Sequence, residues 1–229
     1  MQPIQAVIFD LDDTLYAEKS FTLSGYRAIA SAYAKLLGDP QAIFQRMCEL
    51  FDSPNRNRVF NVLLEEASQP DVNETVAKMI ETFRNHTPVI ELHPDADGAL
   101  TNLRPKYKLG VISDGFLIAQ RNKVAALQVS SRVDEVVLTD ELGREFWKPH
   151  PKAFELIAEK LNVDHTTCIY VADNLAKDFV APNALNWHTI HINRPDGIHS
   201  SNQPPEGGQP AHTIDSLDRL PALLTTLMP

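Results

Sequence analysis

Five short apolar runs, at residues 6–9, 109–112, 135–138, 169–172 and 188–192, most constrain what this chain can fold into. Each is only four or five residues long, and all but 188–192 are apolar almost throughout. That pattern suits strands buried on both faces of a parallel sheet rather than strands with one wet face. Between them, residues 96–103, 116–127 and 153–161 place apolar side chains at spacings of three and four, the signature of amphipathic helices. Strands alternating with helices predict an α/β fold, a doubly wound parallel sheet of Rossmann-like type. Four of the five runs lead into an Asp, Ser or Thr: Asp10, Ser113, Thr139 and Asp173. In such sheets ligands bind beyond the carboxyl ends of the strands, so these positions are where chemistry is expected.

One interval breaks the alternation. No convincing strand lies between Leu15 and about Val89, whereas Tyr26, Ile29, Tyr33 and Leu36 share a helical face. Asp39-Pro40 reads as a helix start, with Asp as N-cap and Pro at the first helical position. The expectation is a core domain formed by residues 1–15 and 89–229, and a small all-helical domain at 16–88. Residues 194–211 are rich in Pro, Gly, Ser and Asn. Their composition cannot build a core, and a mobile loop is expected there. A final helix is expected at 216–227.

Composition narrows the partners. Among 229 residues, 21 Lys and Arg face 30 Asp and Glu, a net charge of −9. Nucleic-acid binders and proteins of anionic membrane surfaces carry basic patches, so neither partner is expected. No run approaches the ~18 apolar residues of a membrane span. The first residues lack the basic stretch and apolar run of a secretory leader, so a cytoplasmic location is the default expectation. Cys48 and Cys168 sit in apolar surroundings and read as buried, reduced thiols. The acidic balance sets a requirement: a phosphate substrate would need positive charge concentrated at its site.

Asp10 and Asp12 follow the first strand. Residues two apart on an extended chain point the same way, so both carboxylates can face one site. By itself the segment would also fit a polar Asx-turn. Three later elements sit at or just after strand ends: Ser113, Lys148, and Asp173 with Asp178. In this order, Asp10-x-Asp12-x-Thr14, Ser113, Lys148 and Asp173-x-x-x-x-Asp178, the chain resembles the haloacid dehalogenase-like (HAD) hydrolase superfamily. The likeness runs over nearly all of the expected core. The helical insert after the first motif is similar to members with a mobile helical cap. One departure is Ala172, where the family usually has Gly before the Asp.

The resemblance implies roles that elementary chemistry supports. Asp10 would be the nucleophile, forming an aspartyl-phosphate. Asp12 would serve as general acid and then general base. Asp10, the Asp12 backbone carbonyl and Asp173 would hold Mg²⁺, a cation that prefers hard oxygen donors, with Asp178 nearby in the metal set or just outside it. Ser113 and Lys148 would bind the phosphoryl oxygens. Asp12 argues against dehalogenation, since related dehalogenases lack it.

Other residues are substrate candidates. Tyr16, Glu18 and Lys19 open the insert. Arg56 and Arg58, in a loop between two insert helices, would grip an anionic leaving group if they are not simply solvated. Asp114 and Gly115 follow Ser113 at an expected helix start, where backbone N–H groups can cradle phosphate. His188 and His191 fall on opposite faces of a strand and cannot form a joint metal site. His150 reads as a helix start, and Trp147 as packing. Together these features predict a Mg²⁺-dependent phosphomonoesterase acting on a small phosphorylated metabolite, with a sugar phosphate ahead of a nucleoside monophosphate. A phosphomutase of β-phosphoglucomutase type is the alternative, and a catalytically idle HAD-like binding module a distant one.

Overall fold

The computed structural model describes residues 2–227, which divide into two compact units, Met1–Lys19 with Glu91–Pro229, and Ser20–Ile90. The first strand, β1 (Ala6–Phe9), is completely buried. The chain then enters α1 (Glu18–Ala32), followed by α2 (Ala34–Leu37), α3 (Pro40–Phe51), α4 (Val59–Glu66) and α5 (Val72–Asn85). These helices make the second unit. Its core gathers Tyr26, Ile29, Met47, Leu50, Leu64 and Met79, with Tyr26 set edge-on to Phe51 and Phe60. The α3 start is built as its sequence demands: the Asp39 carboxylate accepts the Ala42 N–H at 2.8 Å, and Pro40 occupies the first turn. The division falls at Lys19/Ser20 and Ile90/Glu91, a few residues later than the sequence boundaries. Glu18 and Lys19 are helical but group with the sheet unit.

The sheet unit resumes with α6 (Pro94–Leu103), β2 (Lys108–Ser113), α7 (Leu117–Ala126), β3 (Glu135–Leu138), α8 (Lys152–Leu161), β4 (Cys168–Ala172), α9 (Val180–Ala184) and β5 (His188–Ile192). A sixth strand, β6 (His212–Ile214), and α10 (Leu220–Thr226) complete it. All strand pairs are parallel, in the order β3-β2-β1-β4-β5-β6. β1 therefore lies in the interior, flanked by β2 and β4, and Asp10 leaves its carboxyl end. On one face Ile8, Ile112 and Tyr170 pack against Phe154 and Ile157 of α8. Gly110 permits this: a Cβ there would come within 2.6 Å of Ile157 Cδ1.

The sequence missed β6, and its single final helix is a 3₁₀ turn (Leu217–Arg219) leading into α10. The 194–211 segment, expected to be a mobile loop, makes polar contacts along its length. Arg194 makes two hydrogen bonds to the Asp95 carboxylate, at 2.8 and 3.0 Å, and donates to the Thr14 carbonyl at 3.0 Å. Further on, the Ile198 N–H donates to Asp13 at 2.6 Å, and Asn202 to the Asn174 side chain at 2.8 Å. Asn183 holds the far half through the carbonyls of Gly207 and Gln209. Polar anchors replace the apolar core that this composition cannot supply. Cys168 is buried and Cys48 only half-buried, and neither is in a disulfide. No helix among the described residues is long and apolar enough to cross a membrane.

Candidate active site

The carboxyl ends of β1, β2 and β4, with the loop that carries Lys148, bring Asp10, Ser113, Lys148, Asp173 and Asp178 together. The Asp10 N–H donates to the Val171 carbonyl at 2.9 Å, extending the β1–β4 ladder by one residue and fixing where the carboxylate emerges. That carboxylate is ion-paired with the Lys148 ammonium. Lys148 Nζ also lies 2.7 Å from Asp178 Oδ1 and 3.1 Å from the Tyr170 hydroxyl. Its side chain is 0 % exposed. Its hydrogen bonds go to Asp10 and Tyr170, while the Asp178 contact is an ion pair. Burial alone would lower its pKa, but Asp10 and Asp178 outweigh that and hold it well above the usual value.

Asp178 was expected in or beside the metal set. Its Oδ1 faces Lys148, while Oδ2 accepts the Asn174 N–H at 3.0 Å. It therefore orients Lys148 and closes the turn after Asp173. Asp173 itself sits beside Thr14, whose hydroxyl lies 3.4 Å from Oδ1, and its backbone carbonyl accepts from His191 Nε2 at 3.0 Å. Burial, then the negative charge of Asp10, raises the Asp173 carboxyl well above the ordinary range. Burial likewise raises Asp10, to about 7, against the opposing pull of Lys148. No three His, Cys, Asp or Glu side chains converge as a ready cage among the described residues. What is present is a crowded pair of hard oxygen donors, Asp10 and Asp173, and repulsion of that kind is relieved by a divalent cation.

Asp12 is held apart from this cluster. Its Oδ1 accepts the Tyr16 hydroxyl and, at 2.6 Å, the Lys123 ammonium; Oδ2 accepts Gln120 Nε2 at 3.2 Å. Burial pushes the Asp12 pKa up, but Lys123 and the hydrogen bonds prevail and lower it. Gln120 and Lys123 stand three apart on α7, so one helix face supplies both. Gln120 Oε1 also accepts the Ser113 hydroxyl at 3.0 Å. One amide thus links the expected phosphate-binding hydroxyl to the expected acid–base group.

Asp114 and Gly115 stand immediately before α7, whose N-cap is Phe116. Gly115 has φ +136°, and a Cβ there would meet Gln120 Nε2 at 2.4 Å, so glycine is required for Gln120 to fold back. The Asp114 carboxylate is a junction. It accepts from Thr139 Oγ1 at 2.8 Å, from the Lys148 N–H at 3.2 Å and from Lys177 Nζ at 2.9 Å. Arg56 and Arg58 occupy an exposed 3₁₀ turn of the helical unit. The Arg56 guanidinium stacks 4.1 Å from the Phe51 ring centroid, and Arg58 pairs with Glu65 at 2.8 Å. Both are engaged within their own unit. His150 Nδ1 accepts the Lys152 N–H at 3.1 Å at the start of α8, and Trp147 packs edge-on to Phe116.

Sequence reasoning passed over Gln120, Lys123, Tyr170 and Lys177 as site residues. Gln120 and Lys123 carried a signal in their spacing of three on the helix that follows Ser113. Lys177 carried one in lying between Asp173 and Asp178.

Comparison with known proteins gives the family. Residues 4–185 match the family described as haloacid dehalogenase-like hydrolase. A glyceraldehyde 3-phosphate phosphatase of Methanopyrus kandleri is 29% identical over 199 residues, covering 83% of this chain and 84% of that protein. A human N-acylneuraminate-9-phosphatase is 27% identical over 242 residues, covering 98% and 95%. A solved structure of a HAD-hydrolase, YfnB of Bacillus subtilis bound to magnesium, shares the fold with a TM-score of 0.67 at 18% identity, covering 97% and 99% of the two chains. With the family model spanning most of its length, this chain belongs to the haloacid dehalogenase-like hydrolases.

Proposed function

We propose that the chain is a Mg²⁺-dependent phosphomonoesterase acting on a small phosphorylated metabolite, with a sugar or triose phosphate favoured. The observation that carries this reading is the Asp10–Lys148 pair, with a second carboxylate, Asp12, held separately by Lys123, Tyr16 and Gln120. A nucleophile beside a buried ammonium, and a separately tuned acid–base group, are what a two-step phosphoryl transfer needs. The names of the relatives, which specify phosphorylated sugars or trioses, support the substrate class.

In this reading an Asp10 oxygen attacks phosphorus and the ester oxygen leaves with a proton from Asp12. The arriving dianion raises the proton affinity of Asp12, which Lys123 otherwise keeps ionised. Lys148 and the Ser113 hydroxyl neutralise charge on the phosphoryl oxygens. Asp12 then takes a proton from the water that attacks the aspartyl-phosphate, releasing orthophosphate and restoring Asp10. The donor set fits Mg²⁺: Asp10, the Asp12 carbonyl and Asp173 would hold it, and it would offset charge on the phosphoryl group.

The test is orthophosphate release from a panel of triose, hexose and nonulose phosphates and nucleoside monophosphates, with Asp10→Asn as control. Turnover of a sugar or triose phosphate that needs Mg²⁺ and is abolished in Asp10→Asn is the expected result. Full activity in Asp10→Asn would end the mechanism. Transfer that requires a sugar bisphosphate and returns a phosphorylated isomer would establish the mutase instead.

A further inference from the structure

Three ammonium groups serve this edge of the sheet, and their surroundings differ. Lys123 is 5 % exposed and paired with Asp12; Lys148 is 0 % exposed and paired with Asp10 and Asp178. Lys177 keeps 34 % of its side-chain surface open. Its Nζ stands 2.9 Å from Asp114 Oδ2, and Asp114 is itself fixed by the Thr139 hydroxyl and the Lys148 N–H. An ammonium held at one point by an anchored carboxylate keeps its remaining donors directed elsewhere. Lys177 stands on the turn that joins Asp173 to Asp178, so its backbone is set by the same loop as the expected metal ligand. Its charge is also felt at Asp10, where it opposes the effect of burial on the nucleophile, and at Glu18.

We infer that Lys177 is a second phosphate-binding cation, oriented by Asp114, which captures the phosphoryl group at the mouth of the site before Lys148 engages it. The assignment rests on the phosphomonoesterase reading above. It also answers the charge requirement set by an acidic chain. Lys148 must exchange a carboxylate partner to meet a phosphoryl oxygen, whereas Lys177 meets the dianion from a position already open to solvent. Lys177 therefore governs binding more than the chemical step.

Two measurements test this. In the first, wild-type protein with Mg²⁺ is treated with an amine-acetylating reagent, with and without orthophosphate, and acetylation is read by mass spectrometry. Lys177 should be modified in the free protein and protected by orthophosphate, with Lys78 in the helical unit as an unprotected reference; no protection at saturating orthophosphate overturns the assignment. In the second, Lys177→Gln and Lys177→Arg are assayed with p-nitrophenyl phosphate. Lys177→Gln should raise both KM and the inhibition constant of orthophosphate about tenfold, the scale of one hydrogen bond to a charged group, with kcat little changed. Lys177→Arg should recover part of that loss. A fall in kcat with orthophosphate binding unchanged would assign Lys177 a structural role instead. Asp10→Asn in the same assay keeps the two readings apart. If Asp10→Asn still turns over, the Asp10 mechanism fails, and if wild type releases no orthophosphate from any ester the phosphomonoesterase reading fails; if wild type is active and Asp10→Asn inactive while Lys177→Gln binds orthophosphate like wild type, only the Lys177 assignment fails.

Discussion

Asp178→Asn separates two roles for one carboxylate. Asp178 Oδ1 lies 2.7 Å from Lys148 Nζ, and both side chains are 0 % exposed. Removing one partner of a buried pair typically costs ~3–5 kcal/mol, because the other charge is left uncompensated. Here Lys148 keeps Asp10 and Tyr170, and an Asn oxygen can still accept the Asn174 N–H, so the lower end applies. For a chain of this length, roughly 3 kcal/mol corresponds to a fall in Tm of about 6–12 °C. The assay is thermal unfolding of both proteins, followed by titration of activity with Mg²⁺ at fixed substrate. Asp178→Asn should melt earlier and bind phosphate ester more weakly through a misplaced Lys148, yet reach half-activation at the wild-type Mg²⁺ concentration. An unchanged Tm with a raised Mg²⁺ requirement would refute the reasoning and return Asp178 to the metal set.

Asp173→Asn should raise Tm in metal-free buffer, because an acid whose pKa is lifted by burial and by Asp10 costs stability when ionised; it should also abolish any gain in Tm on adding Mg²⁺. Lys123→Met leaves Asp12 without its ammonium partner and should slow a sugar phosphate at least about tenfold more than p-nitrophenyl phosphate, whose leaving group needs no acid; equal losses would show general damage. Asp95 is held below the ordinary aspartate value of 3.8: burial pushes it up, but Arg194, the Leu217 N–H and the Ser216 hydroxyl prevail. A depressed carboxyl stabilises the fold above its unfolded pKa and loses that contribution as pH falls through the folded one. The Tm gap between wild type and Asp95→Asn should therefore be widest near neutrality and narrow as pH drops below 3.8, and a gap independent of pH would refute this.

The five strands of the inner sheet were legible to within one residue at either end, because buried parallel strands leave unbroken apolar runs. β6 was not, since His212–Ile214 is three residues long, two of the three are polar, and a Pro-rich segment precedes it. Asp10, Ser113 and Asp173 were legible because each lies at a strand end, where topology rather than local sequence gathers them; Lys148, in the loop between β3 and α8, was legible through its place in the order of motifs. Gln120 and Lys123 were harder. Their spacing marks one helix face, but only the positive φ of Gly115 decides that this face turns back toward Asp12. The anchors of the 194–211 loop were hidden for the same reason. Arg194 meets Asp95 across 99 positions and Ile198 meets Asp13 across 185, separations that no local pattern encodes.

The interior position of β1 sets an order in time. Strand β1 pairs with β2 from Ala6↔Lys108 and with β4 from Ala6↔Cys168. At synthesis rates of ~5–20 residues per second, an apolar strand would wait on the order of ten seconds for both neighbours. Contacts within Ser20–Ile90 span short separations and can form during that interval, whereas the sheet must close long loops. Asp10 is made early, but its surroundings are completed only when β4 delivers Asp173 and Asp178. A nascent chain released before that point carries the nucleophile without its partners and bares an unpaired strand edge, the state most exposed to aggregation.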